Sequence, residues 1–109
     1  MKFLVASNVL LKQISAINGV VASNPIIPIL ENILVELTGD KLTLTASDLQ
    51  TVMTTTLDVE GFENGSIALP ARLLLETLRS LPDQPVTIAA DAGTFGAEIS
   101  TQNGRFKLS

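Results

Sequence analysis

Residues 69–82, LPARLLLETLRSLP, decide the fold. Leu74, Leu78 and Leu81 recur at helical spacing, while Arg72, Glu76 and Arg79 fall on the opposite side, so the segment predicts an amphipathic helix with one core face. Pro70 suits the first turn, where its missing N–H costs nothing, and Pro82 stops the helix. Upstream, SNVLLKQISAINGVV (7–21) repeats the design. Leu10, Ile14, Ile17 and Val21 lie inward, Asn8, Lys12 and Ser15 outward, and Ser7 or Asn8 is placed to cap.

The two helices match residue for residue. Leu10, Ile14 and Ile17 fall on Leu74, Leu78 and Leu81 at a constant offset of 64, and the preceding FLV (3–5) falls on IAL (67–69) at the same offset. After each helix the period becomes two, the mark of half-buried strands. Leu42, Leu44 and Ala46 alternate with Thr43, Thr45 and Ser47 in KLTLTAS (41–47). Ile33, Val35 and Leu37 alternate likewise, as do Met53, Thr55, Leu57 and Val59. Later come Val86, Ile88 and Ala90, then Phe95, Ala97 and Ile99, then Phe106 and Leu108. TGDK (38–41) and DAGT (91–94) fall between strands as hairpin turns.

The strand beginning at Lys41 falls on Thr94, so the offset drops from 64 to 53 and the first half carries an insertion of eleven residues. It lies in GVVASNPIIPIL (19–30). Pro25 and Pro28 hold Asn24 and Ile27 extended, making a stiff apolar connector. The chain thus reads as a β-α-β-β-β unit given twice, with two helices and about eight strands. Helices segregated from antiparallel sheet make an α+β sandwich in which both helices cover one side.

At 109 residues this is one domain with enough chain for a working core. The absence of cysteine and histidine removes disulfides, thiol nucleophiles, imidazole bases and the usual zinc ligands. No catalytic, metal or cofactor site is expected. FLVA (3–6) is too short for a signal-peptide core, and no run reaches membrane-spanning length, so an intracellular soluble protein is the simplest expectation.

Net charge is −4, which argues against indiscriminate nucleic-acid binding by the whole surface. The helices, however, carry Lys12, Arg72 and Arg79 against one acid, Glu76, while Asp40, Asp58, Glu60, Glu63, Asp83 and Asp91 fall in turns and strands. A weakly basic helical face with polar neighbours suits phosphate contact without base reading. An ordinary solvated face, with Arg72 and Arg79 pairing Glu76 at helical spacing, stays open beside it.

Taken together, MKFLV (1–5), LLK (10–12), NPIIPILENILVEL (24–37), KLTLTASDLQTVM (41–53), ALPARLLLETLRSLP (68–82) and GRFKLS (104–109) resemble the first domain of the bacterial DNA polymerase III beta subunit family, the sliding clamps. The resemblance covers essentially all 109 residues in order. It implies a DNA clamp fold, three such domains per subunit, and two subunits closed head to tail into a ring around double-stranded DNA. Such a ring tethers the replicative polymerase, is placed by a clamp loader, catalyses nothing, and works in the cytoplasm at the nucleoid. The family is roughly three times this length, and Ser109 brings no closing signal, so a fragment is expected. The peptide pocket for polymerases lies in the other domains.

Carried onto this chain, the resemblance makes Lys12, Arg72 and Arg79 the DNA contacts on the lining helices, and NPIIPIL the loop that reaches towards DNA. The residue before the first proline, arginine in the family's best-known member, is Asn24 here. A charged phosphate contact becomes at most a neutral hydrogen bond. The subunit interface of the family selects Thr77, Leu81, Arg105, Phe106 and Leu108. Phe106 and Leu108 are equally readable as core, and Arg105 and Lys107 as charges protecting an edge strand. Two other classes compete. An enzyme would use Asp48, Asp58 and Glu60 as a carboxylate or magnesium site, although Asp48 suits a turn. A non-enzymatic protein-interaction module would dock through the loop 24–30.

Overall fold

The computed structural model describes residues 1–22 (backbone alone over 18–22), 32–47, 52–91, 96–102 and 104–108. In chain order the elements are β1 (Lys2–Ala6), α1 (Ser7–Ala22), β2 (Asn32–Thr38), β3 (Lys41–Ser47), β4 (Val52–Asp58), β5 (Glu60–Glu63), β6 (Gly65–Pro70), α2 (Ala71–Arg79), β7 (Pro85–Asp91), β8 (Gly96–Thr101) and β9 (Gly104–Leu108). Two sheets form, ordered β5-β1-β7-β8-β9 and β4-β3-β2-β6, and every pairing is antiparallel.

The alternation read from sequence becomes a one-sided core. Ile33, Val35, Leu37, Leu42, Leu44, Ala46, Val86, Ile88, Ala97 and Ile99 are buried, together with Leu10, Ile14 and Ile17 of α1 and Ala71, Leu74, Leu75 and Leu78 of α2. All join one cluster, and the helices pack against each other above it. Each such aliphatic side chain contributes about 1.5–3 kcal/mol by leaving water. Leu81, expected inward, is half-buried just past the end of α2. Phe95 and the side chain of Val21 lie outside the described residues.

The repeat is visible in the pairing register, where each half lends its first strand to the other half's sheet. Phe3 and Val5 of β1 pair with Ile88 and Val86 of β7, and Ile67 and Leu69 of β6 pair with Val35 and Ile33 of β2. Moving Phe3 and Val5 by 64 gives Ile67 and Leu69, and moving Val35 and Ile33 by 53 gives Ile88 and Val86, so the pairings superpose. A three-stranded meander leaves an open edge; the exchange covers one edge of each. Neither half can complete its sheet alone.

Two expectations change. Thr38 pairs with Lys41 across a two-residue turn, Gly39–Asp40, whereas Asp91 pairs with Gly96 across four residues. β3 therefore maps onto β8 from Gly96 at an offset of 55, not from Thr94, which lies outside the described residues. Gly39 has φ +60, the left-handed conformation that such a tight hairpin requires. The eleven extra residues also fall differently. α1 runs 16 residues against 9 in α2, so seven lengthen the helix, by about 10 Å, and four lengthen the connector that follows it.

The described residues hold nine strands against the eight or so expected, because the chain goes on past Val59 into a further strand, β5. β4 ends as the edge of one sheet, and β5 continues as the edge of the other, pairing Phe3 with Gly61 and Leu4 with Glu60. Asp40 ties the crossing down. Its carbonyl accepts from Val59 N–H at 3.0 Å and its Oδ1 from Gly61 N–H at 2.9 Å. Gly61 passes so close to the hairpin that a β-carbon there would overlap the Gly39 carbonyl oxygen.

Candidate nucleic-acid interface

Because the sheets bury only the faces turned to α1 and α2, the outward sides of the two helices form one surface of the domain. α2 begins at Ala71 after an extended Pro70 (φ −62, ψ 119), so Pro70 caps the helix from outside instead of entering its first turn. This start places Ala71, Leu74, Leu75 and Leu78 inward and Arg72, Glu76 and Arg79 outward. α1 likewise buries Leu10, Ile14 and Ile17 and exposes Lys12.

Ser7, one of the two residues placed to cap α1, turns its hydroxyl to the connector after α2. The Oγ donates to Pro82 O at 3.4 Å and accepts from Gln84 N–H at 3.0 Å, while Ser7 N–H donates to Gln84 O at 2.8 Å. The start of one helix is thereby pinned to the exit of the other. Gln13 and Thr55 share a hydrogen bond at 2.8 Å that ties α1 to the edge strand β4. Thr55 carried a signal for this, as a polar residue at an inward position between Met53 and Leu57; Ser7 carried none.

The expected cations are all on the helical surface. Arg72 Nε lies 3.8 Å from Glu76 Oε1, with the two side chains 82% and 63% exposed. At that length and exposure the pair is worth little, and the guanidinium remains open to a stronger anion. The other described acids lie elsewhere: Glu36 and Glu98 on sheet positions alternating with buried residues, and Asp40, Asp58, Glu60, Glu63, Asp83 and Asp91 in turns, strand ends and β5. Asn24 lies outside the described residues.

The second set gathers where α2 packs on β9. Thr77 and Leu81 are half-buried, Phe106 is 36% exposed on an open sheet edge, and Leu108 is 5% exposed in the core cluster. Thr77 Oγ1 donates to Leu73 O at 2.7 Å within its own helix. Arg105 alternates with Phe106 and so occupies the other face of β9, 3.5 Å from Glu98 Oε1.

Asp58 Oδ1 accepts from Lys41 Nζ at 2.7 Å, Asp48 lies outside the described residues, and among the described residues no three acidic side chains group to hold a metal. No helix among them is long and apolar enough to cross a membrane.

Comparison with known proteins converges on one family. The family model described as DNA polymerase III beta subunit, N-terminal domain, matches residues 1–109. The chain is 34% identical to the beta sliding clamp of Vibrio cholerae, covering all of this chain and 29% of that one. It is 32% identical to a beta sliding clamp of Vibrio harveyi, covering 74% of that sequence. The crystal structure of the DNA polymerase III subunit beta from Pseudomonas aeruginosa superposes with a TM-score of 0.89 at 32% identity, over the whole of this chain and 30% of that one. The DNA polymerase sliding clamp of Caulobacter crescentus gives 0.88 at 32% identity, over 99% of this chain and 30% of that one. This chain thus spans about 30% of the solved clamps it matches. A duplicated unit with exchanged strands, two helices on one side, and a likeness running from the first residue to the last place the chain in the DNA polymerase III beta subunit family, as its N-terminal domain.

Proposed function

We propose that the chain is the first of three clamp domains in a DNA replication processivity factor, a ring-shaped homodimer that encircles duplex DNA and tethers the replicative polymerase. The observation that carries this reading is the charge division: three exposed cations and a single acid on the helices of a protein whose net charge is −4. A ring lined by such a face attracts the phosphate backbone without reading bases. Few contacts and no base recognition let it slide. The factor works by topology, so it is no enzyme and needs no cofactor. Lys12, Arg72 and Arg79 act as mobile counter-charges to the phosphates, with Asn24 a neutral neighbour. The α2–β9 corner, with Thr77, Leu81, Arg105, Phe106 and Leu108, meets the other subunit, where β9 offers an unpaired edge for strand addition. A clamp loader and the polymerase engage parts of the subunit beyond this domain, and the assembly works in the cytoplasm on nucleoid DNA.

The test uses the subunit at the length of its relatives, loaded onto nicked circular DNA by its own loader. Retention at a salt concentration that strips ordinary binders, followed by release when the circle is cut once, is the expected result. Equal retention on circle and linear DNA would mean contact binding and sink the proposal.

A further inference from the structure

β5 has no counterpart in the second half among the described residues, and the repeat shows where one belongs. β5 covers the outer edge of β1, with Gly61 opposite Phe3 and Glu60 opposite Leu4. At the offset of 64, β6 is the equivalent of β1, and Ile67 and Ala68 are the equivalents of Phe3 and Leu4. Yet among the described residues β6 is the open edge of its sheet.

The phase of the pairing tells which backbone groups that edge leaves open. Met1 and Ala90 bond each other's backbones reciprocally, the Met1 amino group donating at 3.2 Å and the Ala90 N–H at 2.8 Å. Alternation along an antiparallel ladder then turns Phe3 and Val5 to β7, and Lys2 and Leu4 to β5. Because β6 pairs with β2 in the matching register, Ile67 and Leu69 face β2 while the N–H groups of Ser66 and Ala68 face outward. Pro70, with no N–H to offer, shares that outward phase, where it costs the ladder nothing. A groove of about 600 Å³ runs beside this edge, lined by Ile67, Ala68, Met1, Ala90 and Asp91. In the first half the equivalent space, between the first strand and the end of the second, is the one β5 fills.

We propose that the residues following Leu108 in the longer subunit fill this groove as an antiparallel strand on β6, leaving β9 as β5 leaves β4 and making both sheets five-stranded. The proposal rests on the reading that the domain continues into further polypeptide. Leu57 and Leu108 are equivalent through the pairings of Thr55 with Leu44 and of Phe106 with Ile99. β5 occupies the third to sixth residues beyond Leu57, so the new strand occupies the third to sixth beyond Leu108, with the fourth opposite Ile67.

Amide hydrogen exchange, followed by NMR, is compared between the 109-residue chain and the same chain lengthened by its own next dozen or so residues. The expected result is exchange at Ser66 and Ala68 slowed at least about tenfold in the lengthened chain, with cross-strand contacts between Ile67 and the fourth residue beyond Leu108. Unchanged exchange at Ser66 and Ala68 overturns the proposal, as does protection without those contacts, and as does a reading frame that stops at Ser109. A subunit retained on circular DNA while these amides stay open would leave the clamp reading standing and remove only this strand.

Discussion

Replacing Gly61 by Ala tests whether the crossing from β4 to β5 holds the two sheets together. The added methyl would overlap the Gly39 carbonyl oxygen and sit 2.9 Å from the carbonyl carbon, where ordinary contact begins near 3.4 Å. Both neighbours are backbone, so relief requires β5 or the Gly39–Asp40 turn to move. Movement breaks the bonds that join them: Val59 N–H to Asp40 O at 3.0 Å, Gly61 N–H to Asp40 Oδ1 at 2.9 Å, and Gly39 N–H to Asn64 Oδ1 at 2.8 Å. At about 0.5–1.5 kcal/mol each, with exposure holding them to the lower half, the loss is about 1.5–3 kcal/mol. For a domain of this size that lowers Tm by roughly 10 °C. Thermal unfolding followed by far-UV circular dichroism reads the effect, with Glu60→Ala, an exposed neighbour on the same strand, as the control. A Gly61→Ala variant melting within about 2 °C of Glu60→Ala would refute the reasoning and show that β5 is not braced by the hairpin.

Three further outcomes are expected. Ile14→Ala, emptying a fully buried position in α1, costs about 2–5 kcal/mol in urea unfolding, with an unchanged denaturant slope. Ser7→Ala strands the Gln84 N–H and costs about 1–2 kcal/mol, whereas Ser7→Thr recovers part of it; equal stability of all three proteins would discard the cross-helix tie. In the proposed homodimeric ring, changing Lys12, Arg72 and Arg79 together to Ala removes three cations from each subunit and flattens the dependence of log affinity for linear duplex on log salt by up to about 5 in slope without altering Tm. An unchanged slope would take these cations out of the DNA interface.

Much of the molecule was legible because side-chain periodicity is a local property. Helical spacing in 7–21 and 69–82 and alternation in KLTLTAS reported which face of each segment meets the core, and the buried residues follow that pattern closely. The offset of 64 between the halves was equally legible. It compares like with like along one chain, and the superposed registers of β1–β7 and β6–β2 agree with it. The three helical cations could be assigned to one surface for the same reason: a residue opposite a buried face is exposed wherever the helix sits.

Alternation, by contrast, says which face a strand buries and nothing about which strand lies beside it. Leu57 and Val59 share an inward phase, so the alternation from Met53 to Val59 read as one strand, although at Val59 the chain leaves one sheet for the other. The exchange of first strands, the open edge of β6 and the bracing of Gly61 against Gly39 depend on contacts between residues far apart in the chain. Ser7, a plausible cap by its neighbours alone, instead closes on Gln84. The sequence alone determined the elements, their inward faces, the duplication and the basic character of the helical surface, since each is written in spacing along the chain. Which edges pair, and which stay at the rim of a sheet, was decided only by the tertiary structure, because backbone hydrogen bonds carry no side-chain identity and their partners are chosen by how the whole chain packs.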